Sequence, residues 1–230
     1  NGFAYEKDGS VYFRIERFPE YGRLANLDKG SLKVGAAVDA DEYEKESVQD
    51  FVLWKGKKPG EPSWPAPFGE GRPGWHIECS AMSMKYLGPH FDIHMGGVDN
   101  IFPHHENEIA QSQCANGVTF VNYWLHCQHL IVDGMKMSKS LGNFYTLNDL
   151  LQRGADPMAV RYQLLSAHYR KLLNFTLEGL DMAAQALQRV RNFLFSLRQV
   201  QAEGEADPEL AAAVDAALAA FAAALDDDFN

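Results

Sequence analysis

Apolar residues recur at spacings of three and four from Leu177 through Leu180, Ala184, Leu187, Val190 and Leu194 to Leu197, which predicts an amphipathic helix opening at Thr176. A second begins at Asp207-Pro208 and places Leu210, Val214, Leu218, Phe221 and Leu225 on one face, so the two stripes are expected to pack on each other. Just upstream, Thr146 reads as the cap of a short helix stopped by Gly154, and Asp156-Pro157 as a cap with proline in the first helical position. The pattern after residue 145 is thus helical to the end. Before it the period changes. Val11-Tyr12-Phe13-Arg14-Ile15 and Phe51-Val52-Leu53-Trp54 are short β-type runs divided by turns and by a charged loop from Asp39 to Glu46. Residues 61–72, with Pro62, Pro65, Pro67, Gly69 and Gly71, read as irregular and lead into a helix from Pro73-Gly74-Trp75 to Gly88. A strand at Phe91–Met95, a glycine turn, a helix from about Pro103 and a strand at His129–Val132 complete an alternation that predicts a parallel α/β sheet. Three segments follow from the pattern: a β-rich piece at 1–60, an α/β piece at 61–145 and a helical piece at 146–230.

Composition adds little until it is divided. The chain has 230 residues, 46% hydrophobic and 23% charged, with a net charge of −10, as expected of a folded domain and not of a general nucleic-acid coat. Residues 136–200, however, carry 9 basic and 4 acidic residues, against 12 and 19 before them and none and 8 after. No run approaches the ~18 apolar residues of a membrane span, and the opening residues have neither a charged start nor an apolar signal core. Cys79, Cys114 and Cys127 are too few and too irregular for a disulfide framework, so reduced thiols in a cytoplasmic setting are expected. Asn1 at the start and an end without a closing element read as a piece of something longer.

Chemistry enters at Phe102-Pro103-His104-His105-Glu106-Asn107-Glu108. His104 and Glu108 are four apart, which on a helix places an imidazole and a carboxylate one turn apart on the same face, a two-point grip for zinc. Cys79, inside Gly74-Trp75-His76-Ile77-Glu78-Cys79-Ser80, is the candidate third ligand; Cys114 lies about 240° further round the helix from Glu108 and faces elsewhere. His105, three residues from Glu108, stands as the alternative to His104. The competing reading is an ordinary solvated helix start and a buried thiol.

The second signal is Lys136-Met137-Ser138-Lys139-Ser140, followed by Leu141-Gly142-Asn143, directly after an expected strand. Two ammonium groups among hydroxyls and glycine backbone suit a loop that meets polyphosphate, where a lone basic pentapeptide is more often a solvated turn. This word is the signature loop of class I aminoacyl-tRNA synthetases. Together with Gly71–Met82, His94-Met95-Gly96-Gly97-Val98-Asp99 and Phe102–Ser112, in order and spacing, it resembles the cysteinyl-tRNA synthetase family. Phe51–Lys55, Ser63-Trp64-Pro65 and Ala167-His168-Tyr169-Arg170 extend the resemblance over essentially the whole chain.

The resemblance implies the second half of a class I Rossmann-type catalytic domain, preceded by a small β-rich insertion and followed by an α-helical stem-contact region. It implies Cys79, His104 and Glu108 as three zinc ligands and Lys139 as the lysine acting on the phosphates of ATP. Lys136, Ser138, Ser140, Gly96 and Gly97 would lie around the nucleotide, with Trp75 and Asp99 in the substrate pocket. Met95 stands where the family usually has glycine, which questions the shape of the nucleotide turn. A fourth ligand, a cysteine, and the ATP-holding His-x-Gly-His motif are absent from this sequence, as is an anticodon-binding domain. The implied reaction is activation of cysteine by ATP, accompanied by Mg2+, and transfer to tRNA(Cys), in a monomeric cytoplasmic parent, with zinc separating thiol from hydroxyl where shape cannot. Arg170 and Lys171, with Arg161, Arg189, Arg191 and Arg198, are the candidate tRNA-contacting charges. Three other readings remain: a cysteine ligase of the mycothiol pathway, a zinc hydrolase using Glu106 or Glu78 as base, and a tRNA-binding module without catalysis.

Overall fold

The computed structural model describes residues 2–27, 50–201, 204, 205 and 207–229, so the charged loop expected at Asp39–Glu46 lies outside the described residues. The chain divides into two compact units, residues 1–127 and 128–230.

The first unit opens with an antiparallel sheet in the order β1 (Ala4–Lys7), β2 (Ser10–Phe13), β3 (Phe51–Gly56), β4 (Gly71–Pro73). Asp8 and Gly9, both at positive φ, make the two-residue turn that sets Lys7 opposite Ser10. Gly71 and Arg72, expected to be irregular, and Pro73, expected to open the helix, thus join a sheet. The proline sits on an edge strand, a sheet position that tolerates a missing N–H. Phe13, Ile15, Tyr21 and Phe51 share a core with Ala110 of helix α2 (Glu106–Asn116), and the rings of Phe13 and Phe51 stack at 4.9 Å. The β-rich piece thus braces the helix that carries Glu108.

Helix α1 (Trp75–Leu87) packs on α2 through polar groups: buried Ser80 Oγ accepts from Gln111 Nε2 at 2.5 Å and from Ser112 Oγ at 2.9 Å. Strands β5 (Phe91–Gly97) and β6 (Val121–Cys127) form the parallel pair, in register from Phe91↔Val121 to Gly97↔Cys127, and α2 is the helix of the crossover between them. The parallel α/β expectation is met in part: the partner of β5 is the unexpected β6, while the strand expected at His129–Val132 belongs to another sheet. The helix expected from about Pro103 begins at Glu106, after a wide turn at Ile101–His105.

In the second unit β7 (Leu130–Val132) pairs antiparallel with β8 (Met135–Lys136) and parallel with β9 (Leu173–Phe175). The segment after residue 145 is thus not wholly helical, because β9 is a three-residue strand recruited by a distant partner. Helices α3 (Leu147–Gln152), α4 (Pro157–Leu165), α5 (Leu177–Gln199) and α6 (Pro208–Asp226) begin at the expected caps Thr146, Asp156, Thr176 and Asp207, whose side chains all accept backbone N–H bonds. Val132, Leu150, Ala159, Val160, Phe175, Leu180 and Ala183 form the core of this unit.

The expectation that the two long helices pack on each other is not met among the described residues. α6 has no buried residue, and the buried residues of α5 are Leu180 and Ala183, in its first half. An apolar stripe specifies a face to be covered but not what covers it. α6 is also, by length and composition, apolar enough to cross a membrane, against the expectation that no run approaches that. Its apolarity is largely alanine, and Asp215 near its middle would cost about 2.5–3.5 kcal/mol in a bilayer core.

Candidate metal centre and signature loop

Cys79, in the second turn of α1, His104, in the turn before α2, and Glu108, in the first turn of α2, converge. One ligand atom of each lies within 4.8 Å of the others. Glu108 Oε1 is 3.0 Å from His104 Nε2 and 3.5 Å from His94 Nε2. Yet neither carboxylate oxygen receives an aligned hydrogen bond among the described residues, although the side chain is completely buried. Burial pushes its acidity down, but the imidazoles of His104 and His94 outweigh burial and hold the carboxyl pKa at about 2. A buried, ionised carboxylate without aligned donors is strongly disfavoured unless a cation supplies the missing partner. Sulfur, imidazole and carboxylate are the donor set of zinc, so these residues fit the metal.

The neighbours agree with that fit. His76 Nδ1 lies 2.8 Å from His104 Nδ1; with His104 donating there, a metal would take the place of the Nε2 proton that otherwise faces Glu108. The Trp75 ring stacks on His104 at 4.2 Å, fixing the face of the imidazole while leaving much of the indole exposed. Burial, aided by the charges of Glu108 and Glu78, pushes the Cys79 thiol up, a shift that coordination to a dication reverses by deprotonating the sulfur.

His105, the alternative in the sequence, also reaches Glu108, but in a different set with His94. Its Nδ1 is 2.8 Å from His126 Nε2, and burial lowers its pKa to about 4, leaving it neutral near pH 7. The pairing of β5 with β6 brings His94 opposite Trp124 and Gly96 opposite His126. The imidazole cluster of His94, His105 and His126, joined to His76 through His104, escaped the sequence reading. Its only signal was the density of histidines from 76 to 129, and that becomes spatial only through the β5–β6 register. The same cluster explains Gly96: a Cβ there would meet His105 Cε1 at 2.7 Å. The glycine turn expected after Met95 is instead the end of β5, with Gly96 and Gly97 still paired to His126 and Cys127; a Cβ at Gly97 would collide with Asp99 Oδ1, so Asp99 is placed against that strand end, and Trp75 against His104. Met95 pairs in regular register with Leu125 and is exposed, so it leaves the strand undistorted.

Glu106, offered from sequence as a hydrolytic base, is otherwise engaged. It is buried and accepts the backbone N–H groups of Gly22 at 3.0 Å and Ala25 at 2.7 Å, while Tyr21 Oη donates to the adjacent Asn107. Glu78 is exposed. Gly22 sits at φ +89°, a turn conformation that this clamp requires and that a side chain would resist.

In the second unit Lys136 ends β8, and Ser138, Lys139 and Ser140 form an exposed or half-exposed turn in which the two serine hydroxyls are 2.8 Å apart. Lys139 Nζ rests 5.5 Å from the centre of the Phe144 ring. Of the candidate tRNA-contacting residues, Arg170 is committed within the chain. It pairs with Asp228 at 2.8 Å and donates to Tyr169 Oη at 2.9 Å, whereas the Lys171 side chain is exposed. Arg191 is likewise paired, to Asp156 at 2.7 Å.

The model of the family described as tRNA synthetases class I (C) catalytic domain matches residues 1–185. The cysteine–tRNA ligase of Brachyspira hyodysenteriae is 63% identical over 204 residues, covering 87% of this chain and 43% of that protein. Those of Chlamydia muridarum and Koribacter versatilis are 54% and 53% identical, covering 100% and 99% of this chain and 49% and 46% of those proteins. The chain thus spans about half the length of the curated relatives it matches. A metal-ready cysteine, histidine and glutamate, a lysine-serine loop and a family match over 185 of 230 residues agree: the chain belongs to the class I (C) tRNA synthetases, with the mixed α/β fold of their catalytic domain.

Proposed function

We propose that the protein containing this chain is a cysteine–tRNA ligase, which activates cysteine with ATP and transfers it to tRNA(Cys). The observation that carries the substrate is the convergence of Cys79 and His104 on the donor-poor carboxylate of Glu108, supported by relatives bearing the name cysteine–tRNA ligase. Cys79, His104 and Glu108 would hold zinc, with a further ligand from outside this chain. Bound there, the metal would supply direct ligation of the substrate thiolate, a contact serine cannot reproduce.

The remaining work falls to the chain's own groups. Trp75 orients the His104 imidazole and offers its exposed indole as a wall of the amino-acid pocket, and Asp99 is assigned to the same pocket. Gly96 and Gly97 are assigned to the nucleotide site, their lack of side chains making room there for the His105 ring and the Asp99 carboxylate. Lys139, with Lys136 and the hydroxyls of Ser138 and Ser140, neutralises charge as the cysteine carboxylate attacks the α-phosphorus and pyrophosphate leaves. Alignment and charge compensation are enough for this step, and no protein nucleophile is required. In this reading residues 1–60 are an insertion, 61–145 the second half of a Rossmann-type catalytic domain, supported by the β5–α2–β6 unit, and 146–230 the stem-contact region, where the exposed Lys171 meets tRNA.

The test is amino-acid-dependent ATP–pyrophosphate exchange by the full-length protein. Exchange with cysteine and none with serine is expected; equal exchange with both would refute the role given to the thiol.

A further inference from the structure

The signature loop is closed by one side chain that the functional reading does not use. Asn143 is 6% exposed although its neighbours Gly142 and Phe144 face solvent. Its Oδ1 accepts the Ser138 N–H at 2.9 Å, and its Nδ2 donates to the carbonyls of Lys136 at 3.2 Å and Val132 at 3.4 Å. A single carboxamide therefore ties the end of β7, the end of β8 and the middle of the loop together. Within that ring Gly142, at φ +69°, donates its N–H to Lys139 O at 3.2 Å, which puts Lys139 on a preformed turn. The Lys139 ammonium lies over the Phe144 ring within cation–π range.

We propose that Asn143 is a positioning residue of the reaction: its carboxamide holds the loop in the shape that presents Lys139 to phosphate, and Phe144 holds the ammonium until phosphate displaces the ring. The inference rests on the reading of this loop as phosphate-facing. Asparagine is the side chain the geometry demands, because one planar group must supply an acceptor for an N–H and donors for two carbonyls. Aspartate keeps the acceptor but turns an oxygen toward the carbonyls of Lys136 and Val132. Alanine leaves all three backbone groups without their partner.

The experiment uses the full-length, zinc-loaded protein with Asn143→Asp and Asn143→Ala. Native-state trypsin cleavage after Lys136 and Lys139 reads loop opening without reference to activity. Cysteine-dependent pyrophosphate exchange at varied ATP reads the chemistry. Both variants are expected to be cut about 10- to 100-fold faster and to lose kcat by a similar factor, with the cysteine KM and zinc content unchanged. A residue serving stability alone would lower the folded fraction without opening the loop in the molecules that remain folded. Unchanged cleavage overturns the clamp, and faster cleavage with unchanged kcat overturns the positioning role. Phe144→Leu, at a partly exposed position, covers failure of the Asn143 variants to fold. It frees Lys139 and is expected to raise cleavage there about two- to five-fold, and no change counts against the proposal. A wild-type protein without cysteine-dependent exchange would refute the functional reading instead, while the trypsin comparison still decides the clamp.

Discussion

Replacing Glu106 by alanine tests whether the stretch between the candidate ligands also fastens the loop at residues 21–25. Its carboxylate accepts two backbone N–H groups, a buried one at 3.0 Å from Gly22 and a half-buried one at 2.7 Å from Ala25. Hydrogen bonds to an ionised acceptor contribute about 1.5–3 kcal/mol each, and an N–H left buried without a partner incurs its full desolvation cost. The Gly22 bond therefore takes the upper part of that range, and the Ala25 bond, which water can partly replace, the lower part. The expected loss is about 4–5 kcal/mol for Glu106→Ala. It is about half as much for Glu106→Gln, which keeps one oxygen but sets an NH2 group against the other N–H. The tether from Tyr21 to Asn107 persists, so the effect should be local. Urea unfolding of the full-length protein measures the loss, and hydrogen exchange at the Gly22 and Ala25 amides locates it. A destabilisation below about 1 kcal/mol together with unchanged exchange at these two amides would show that the bonds are not what fixes the loop.

Cys79→Ser is expected to lower the zinc content of the full-length protein and abolish its preference for cysteine over serine; equal metal content in variant and wild type, measured by atomic emission, would contradict the ligand assignment. In metal-free protein the pKa of His105, lowered by burial to about 4 from 6.5, makes the native state resist a proton that the unfolded state accepts. The associated stability, about 3 kcal/mol, is present above pH 6.5 and lost as pH falls through 4. A urea midpoint that stays flat over this window, or falls equally in His105→Gln, would contradict it. Because Arg170 is held by Asp228, Lys171→Ala alone should account for most of the loss of tRNA affinity seen on neutralising both, reducing the log–log salt slope by about one. Superimposable salt lines for Lys171→Ala and wild type would remove this residue from the tRNA path.

What could be read without coordinates was local. Thr146, Asp156, Thr176 and Asp207 announce helix starts because a cap and the amides it satisfies lie within three residues of each other. His104 and Glu108 were legible for the same reason, since one helical turn brings them together. What was missed depends on distant pairing. Val121–Cys127 contains Asn122 and His126, and it becomes a strand by lying beside Phe91–Gly97, about thirty residues away. Leu173–Phe175 becomes one only beside Leu130–Val132. The histidine cluster inherits this dependence, because no spacing along the chain connects His94 to His126. The commitment of Glu106 to Gly22 and Ala25 spans 84 and 81 residues and left no mark in either sequence segment.

The β5–β6 pair has a practical consequence for anyone who expresses this chain by itself. Among the described residues each strand has one hydrogen-bonded neighbour, so each presents an outer row of unused amides and carbonyls. Ile93 and Met95 on β5 and Tyr123 on β6 are exposed on the ribbon's surface. A parallel ribbon with two such borders and apolar side chains is a template for recruiting strands from other molecules. Self-association of the isolated polypeptide is then expected to begin at these borders, and charged substitutions at Ile93 or Tyr123 are the place to suppress it without touching the metal ligands.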